Sequence, residues 1–278
     1  MQRATIPALE AILGQPFNVL DKGKVCLIEY MGSDETIVNA ARVSYGKGTK
    51  VLRDDHALIN YLLRNKHTSP FEMCEIVLYI KLPIFIAAQW IRHRTANINA
   101  HSARYSLMED EFYIPNINQL KTQSVVNKQC SGQVLEADIA EQLSKQIEEH
   151  SAQSYQLYTK MLEQGLSREL ARMILPQNIY TQWYWKIDLH NLLHFLKLRL
   201  HPHAQYEIRE YAKVILENIV KPWVPAVYQA FVEHSLNSIN LSRNGQQIVK
   251  DFAQQNLQSK EHYGVGKGEW LELMNMLD

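Results

Sequence analysis

Short apolar runs rich in β-branched residues alternate along this chain with longer stretches in which apolar positions recur every three or four residues, a pattern that predicts strands mixed with helices. KVCLIEYM, from Lys24, reads as a buried strand that stops at Gly32-Ser33, where a helix N-cap begins. A helix from about Glu35 to Ser44 follows. After a break at Gly46 and Gly48, Leu52, Leu58, Ile59, Leu62 and Leu63 mark a second helix, which ends at Asn65 and the turn His67-Thr68-Ser69-Pro70. CEIVLYIKL is the next strand. Pro83 suits the first turn of a helix whose stripe Ile84, Ala87, Ala88 and Ile91 leads directly into Arg92-His93-Arg94.

From Asn116 to Glu149 the sequence turns polar, first as a loop around Cys130-Ser131-Gly132, then as a helix with Leu135, Ile139, Leu143 and Ile147 that runs on to Leu162. Gly165 closes it, and Ser167-Arg168-Glu169 restarts a short helix that ends near Pro176. NIYTQWYWKI is a third strand. Asp188 then caps a helix with Leu189, Leu192, Leu193, Leu196 and Leu200 on one face. A further helix from about His203 to Val220 precedes Pro222 and Pro225, and the chain stays helical to about Leu241 before a polar stretch and the amphipathic piece GEWLELMNML. With no internal repeat and no linker-like tract, the expected architecture is one α+β domain over residues 1–278, helix-rich with a small sheet.

Composition narrows the function classes. The 278 residues carry 29 Lys+Arg against 29 Asp+Glu, so neither an extended nucleic-acid-binding surface nor a polybasic membrane anchor is expected. No stretch approaches the ~18 consecutive apolar residues of a membrane span, and MQRATIPALE lacks the apolar region of a secretion signal. Cys26, Cys74 and Cys130 are odd in number and widely spaced, which fits a reducing cytoplasm and disfavours a disulfide framework or a thiolate zinc site.

The balance of charge hides a segregation. From Ile76 to Met108 there is no acidic residue, while Lys81, Arg92, Arg94 and Arg104 are all present, a setting suited to phosphate or another anion because guanidinium groups offer paired donors. The small, amide-rich turn Thr95 to Asn99 follows, as ligand loops often do. A second concentration lies in HNLLHFLKLRLHPHAQYEIR. His190 and His194 stand four apart, with His201 and His203 soon after, but Asn191 replaces the Glu of the zinc-protease motif and no Cys is near, so no metal site is assigned. Arg199 interrupts a leucine-rich stretch. A cation there needs either a remote carboxylate or a substrate anion or carbonyl. Ser102 lacks the nucleophile elbow, the cysteines have no sequence-adjacent base, and the glycine-rich fingerprints of nucleotide-binding loops are absent.

RHRTANINAHSARYS resembles the signature of the flavin-dependent thymidylate synthases: Arg92-His93-Arg94, seven residues, then Ser102. Colinear matches extend the resemblance over about residues 20–240: ARVSYG from Ala41, HTSPFE from His67, FIAAQWIRHR, EFYIP from Glu111, SRELARMILP from Ser167 and LRLHPHAQYEIR from Leu198. Residues 242–278 form a C-terminal extension. The resemblance implies an α+β homotetramer with shared active sites, making dTMP from dUMP with methylenetetrahydrofolate as carbon donor and NADPH as reductant by way of FAD. It places Ser69, Arg92, His93, Arg94, Asp188, Leu189, His190 and His194 against FAD. It places Gln89, Arg92, Ala100, His101, Ser102, Ala103, Arg104, Arg172 and Arg199 against dUMP, with Arg199 activating the uracil and Ser102 positioning the nucleotide.

Two positions depart from that family. Glu usually stands where this chain has Ala100, and His often stands where it has Met73. C5 alkylation of another uracil nucleotide is therefore the nearest alternative. A metal-dependent hydrolase built on His190, His194, His201 and His203, or a non-catalytic nucleotide or RNA binder, is more remote.

Overall fold

Strand β3 (Glu75–Pro83) sends Ile76, Leu78, Ile80 and Leu82 to one side, and this two-residue alternation decides which face of the sheet becomes core. It pairs antiparallel along its whole length with β7 (Tyr180–Asp188), whose Trp183, Trp185 and Ile187 are buried on the same face. With β1 (Pro16–Val19), β2 (Gly23–Met31) and β4 (Asn97–Ala100) they form an antiparallel sheet in the order β1-β2-β3-β7-β4. The structure, a computed structural model, describes residues 5–43, 54–125, 128, 130–256, 259–264 and 266–277.

Helices cover the apolar face. α4 (Ile84–Trp90), α7 (Leu189–Arg199) and α8 (Tyr206–Ile215) present Ile86, Trp90, Leu192, Phe195, Ile208 and Tyr211 to it. Trp90 is the hub: its ring centroid lies 4.6 Å from Phe195, 5.2 Å from Trp185, 5.9 Å from Tyr211 and 6.0 Å from Trp183, spacings in the range of favourable aromatic pairs. α1 (Pro7–Glu10), α2 (Asp34–Val43), α3 (Asp55–Arg64), α9 (Lys221–Trp223) and α10 (Pro225–Phe231) extend the same core. Asp34 joins the start of α2 to that of α10, accepting hydrogen bonds from Ala226 N (2.9 Å) and Val227 N (3.2 Å).

A smaller apolar cluster of Met108, Phe112, Tyr158, Ala171 and Ile179 fastens α5 (Ala137–Glu163) and α6 (Arg168–Ala171) to the chain that follows β4. The chain divides into two compact units, Met1–Leu236 and Asn237–Asp278. The second contains α11 (Arg243–Asn256), α12 (Lys260–Tyr263) and α13 (Lys267–Leu277).

Several local expectations are corrected. The polar loop around Cys130 contains a two-stranded ladder, β5 (Lys121–Gln123) with β6 (Ser131–Val134). The turn expected at Thr95 to Asn99 becomes the edge strand β4. The helix expected from His203 starts at Tyr206 and finishes in a π-helical turn, Leu216–Val220. Helical structure stops at Leu236 rather than near Leu241, and the polar stretch beyond it folds as α11. Of ARVSYG, Ala41 to Val43 end α2, while Ser44 to Gly46, like Leu52, lie outside the described residues.

Candidate active site

The Arg-His-Arg turn is fixed at both ends by the fold. α4 is anchored through Ile86, Ala87 and Trp90, its exit is closed by Ile91 N to Ala87 O (3.0 Å) and His93 N to Trp90 O (2.9 Å), and β4 then pairs Asn97 with Lys186 of β7. Of the three side chains His93 turns inward, only 8% exposed, while Arg92 and Arg94 remain in solvent. The His93 ring centroid lies 5.5 Å from Phe195, 5.7 Å from His194 and 6.5 Å from Trp185, and Nε2 is 3.0 Å from Thr95 Oγ1. Burial, then the neighbouring His194 and Arg199, holds the imidazole below its ordinary pKa.

Arg199 closes the other side. It ends α7, is half-buried, stacks its guanidinium 5.9 Å from the Phe195 ring and donates from Nη2 to Gln89 O at 3.2 Å. Burial lowers its pKa, and among the described residues no carboxylate pairs with it. Arg199 Nε and Gln89 Oε1 are both buried without a hydrogen-bond partner. A buried donor and a buried acceptor left open on two touching residues are costly unless a ligand satisfies them.

His101 to Arg104 leave β4 as a loop tied back by His101 N to Gln182 O (2.8 Å). Ala103 is buried in the smaller core, so its side chain packs and its backbone alone is left for a ligand. Ser102 Oγ accepts from Arg104 N at 3.3 Å. Arg104 reaches Glu169 Oε2 at 3.2 Å, Arg172 Nε donates to Glu169 O at 3.3 Å, and Arg168 Nη1 donates to Tyr105 O at 2.9 Å. Of these residues Arg104, Arg168 and Glu169 line a cleft of about 520 Å³ with Leu107, Leu166 and Ser167. The sequence reading gives Arg168 and Glu169 no site role, although their places four and three residues before Arg172 put them beside it on one helical turn.

Residues 26–226 match the family described as thymidylate synthase complementing protein. The chain belongs to this family. It is 53% identical over 276 residues to a flavin-dependent thymidylate synthase of Ehrlichia ruminantium (strain Gardel), covering 99% of this chain and 93% of that protein. It is 55% identical to that of Anaplasma marginale (strain St. Maries), covering 99% and 94%. Among solved structures, a UMP/dUMP methylase, PolB from Streptomyces cacaoi, bound with 5-Br dUMP, superposes with a TM-score of 0.71 at 29% identity, over 80% of this chain and all of that one.

In this member of the thymidylate synthase complementing protein family, two of the four cations in the acid-free window are not free. Lys81 is paired with Glu109 (3.1 Å) and Glu111, and Arg104 with Glu169, so of these four only Arg92 and Arg94 have no ion pair to a described residue. Asp188 caps α7, accepting from Asn191 N at 2.9 Å and Asn191 Nδ2 at 2.6 Å. Leu189 is fully buried and its N–H is bonded to Cys74 O, which leaves it no side-chain surface for a cofactor. Ser69 is exposed ahead of Phe71, His190 is half-buried, and Ala100 is exposed on β4 opposite Trp183. The His201 and His203 rings lie 5.0 Å apart, and among the described residues no group of three or more His, Cys, Asp or Glu is placed to hold a metal ion.

Proposed function

We propose that this chain is a flavin-dependent thymidylate synthase, converting dUMP to dTMP with 5,10-methylenetetrahydrofolate as carbon donor and NADPH as reductant through FAD. The observation that carries the reading is the pair of open groups Arg199 Nε and Gln89 Oε1: an N–H and a carbonyl oxygen, each buried without a partner on two residues that touch through Arg199 Nη2 and Gln89 O, offer the donor and acceptor that a uracil ring edge can take. Membership of the family and relatives of that name over nearly the whole chain support it.

The residues present also fit the cofactor. Arg92 and Arg94, exposed and without carboxylate partners, suit a flavin diphosphate, and buried His93 with His194 and the Asp188 cap on α7 supplies the wall beside it. FAD, when bound, supplies the hydride chemistry that the protein's side chains lack. Arg199, kept cationic despite burial because its ordinary pKa is so high, stabilises negative charge on the uracil carbonyl edge and so raises electron density at C5. Ser102, Arg104 and Arg172 hold the nucleotide, and neutral His93 orients without adding charge.

No thiolate is called for. Cys26 and Cys74 are buried, burial raises both thiols, and Cys74 is pushed up to about 12, so neither serves as a nucleophile on C6. We place the enzyme in the cytoplasm as a homotetramer. Its open surface supports assembly: Ile139, Leu143 and Leu157 lie on one face of α5, 46%, 37% and 46% exposed. No helix among the described residues is long and apolar enough to cross a membrane.

The test is a purified full-length protein, reconstituted with FAD and assayed for tritium release from C5-labelled dUMP with NADPH and methylenetetrahydrofolate; colourless protein that takes up no FAD sinks the reading. A second substrate, UMP, is favoured by exposed Ala100, where the family usually has Glu, and by the UMP/dUMP activity named for PolB. Parallel assays with dUMP, UMP and dCMP decide it.

A further inference from the structure

The acid-free window ends abruptly at Glu109-Asp110-Glu111, five positions after Arg104, and three carboxylates there would stand against any phosphate held by the loop. Five residues span at most about 18 Å even when extended. His101 is already within electrostatic reach of Glu109. One lysine engages two of the three acids, the Glu111 side chain 34% exposed and that of Glu109 61%. Lys81 Nζ, on β3, bonds both Glu109 Oε2 (3.1 Å) and Glu111 Oε2, with its own side chain only 11% exposed.

A lysine so buried is rare and costly unless it is paired, so its retention needs a reason beyond sheet propensity. Anchoring the backbone is not that reason. Glu111 O accepts from Tyr180 N (2.9 Å), Tyr113 N donates to Asn178 O (2.9 Å), Asn178 Nδ2 donates to Tyr113 O (3.0 Å), and Tyr155 Oη donates to Met108 O (3.0 Å). The segment is held on both sides of the glutamates without Lys81. What Lys81 alone supplies is positive charge. Burial works against that charge, but the bonds to Glu111 and Glu109 outweigh it and keep the ammonium protonated above its usual range.

We infer that Lys81 is a positioning residue for nucleotide binding, an internal counter-ion that masks Glu109 and Glu111 so that the phosphate of the bound nucleotide meets Arg104 and Arg172 rather than two bare carboxylates. The inference rests on the nucleotide reading of the loop given under Proposed function. It assigns Lys81 no contact with substrate or flavin.

The experiment is calorimetric binding of dUMP to flavin-loaded, full-length protein, with deoxyuridine as the phosphate-free control. Lys81→Met raises the Kd for dUMP about tenfold, the size expected when ionic repulsion of roughly one unit charge pair is exposed at a partly screened site. Deoxyuridine binding stays within about twofold, which a collapsed loop would not allow. Lys81→Arg retains wild-type affinity. The triple variant K81M/E109Q/E111Q removes the cation and both carboxylates together, so it recovers dUMP affinity to within about threefold of wild type, and it gives the answer even if Lys81→Met alone fails to fold. Unchanged dUMP affinity in Lys81→Met, or a folded triple variant still impaired tenfold, overturns the inference while leaving the proposed function standing. Wild-type protein that binds no dUMP overturns both.

Discussion

Arg199 donates from Nη2 to the backbone carbonyl of Gln89 at 3.2 Å, a contact that ties the end of α7 to the last turn of α4 across 110 positions of sequence. It fixes the guanidinium while Arg199 Nε and Gln89 Oε1 both stay buried without a partner. A donor held by the scaffold needs no reorganisation when charge develops on the substrate, and such groups contribute most to rate. Arg199→Ala is expected to lower kcat for dTMP formation at least about 100-fold. Flavin content, read from the absorption spectrum of the purified protein, should stay near wild type. Near-normal turnover would show that Arg199 does not activate the base.

His93 gives the site an acid limit. Its pKa lies below the ordinary value, because of burial first and then the charges of His194 and Arg199, with Asp188 and a hydrogen bond to the Asn191 backbone opposing them. The unfolded chain therefore binds a proton near pH 6.5 that the folded chain refuses, so stability rises with pH through this window and is lost as pH falls below it. Thermal melts of wild type should show Tm dropping as pH is lowered from about 7 to about 5. His93→Asn should flatten that part of the curve. Equal slopes in both proteins would mean that other groups set the acid limit.

Much of this architecture was legible because it is local. The alternation of CEIVLYIKL, the aromatic and β-branched run of NIYTQWYWKI, the Asp188 cap and the apolar stripe leading into Arg92-His93-Arg94 each carry their signal within ten residues or so, and each element stands where the pattern puts it. β4 and β6 escape the sequence reading because each is only four residues long, too short to set a period, and every one of those residues is exposed, so no apolar run marks a buried face. The charge reading failed differently. Lys81 finds Glu109 and Glu111 from 28 and 30 positions away, and Arg104 finds Glu169 from 65, so a window free of acids along the chain is not free of them in space. Arg199 shows the converse: a cation suspected from sequence alone meets no carboxylate among the described residues after folding.

The Arg104 and Glu169 side chains are 52% and 60% exposed, and ion pairs that open to water contribute about 0–1 kcal/mol. Glu169→Gln should accordingly shift unfolding free energy by no more than about 0.5 kcal/mol in urea melts. Arg104→Ala should be equally mild for stability. In dUMP binding the two residues separate, because Arg104 is free to exchange its exposed carboxylate partner for a phosphate. Arg104→Ala should raise the Kd for dUMP about tenfold or more, as loss of a charge-assisted contact does. Destabilisation by several kcal/mol in either variant would instead mark the pair as structural.

Trp90 couples the site to the core through packing. It is fully buried, four aromatic rings surround it, and the Arg-His-Arg turn begins two residues later, with His93 N bonded to Trp90 O. Truncation to Ala removes the transfer free energy of the indole and leaves a cavity between α4, α7 and β7, a cost of about 3–5 kcal/mol. That is a large fraction of the stability of an ordinary domain. Trp90→Phe keeps most of the ring contact and should cost less than half as much. The indole nitrogen adds little to the balance, since Nε1 is buried without a partner in the native structure and its removal leaves no group newly unsatisfied. Denaturant midpoints for the two variants test the order. Because the turn carrying Arg92 and Arg94 hangs from this residue, flavin retention should fall in the same order as stability, Ala well below Phe and Phe near wild type. A Trp90→Phe protein that is stable yet colourless would show that the indole itself, rather than the packing it provides, is needed to shape the cofactor site.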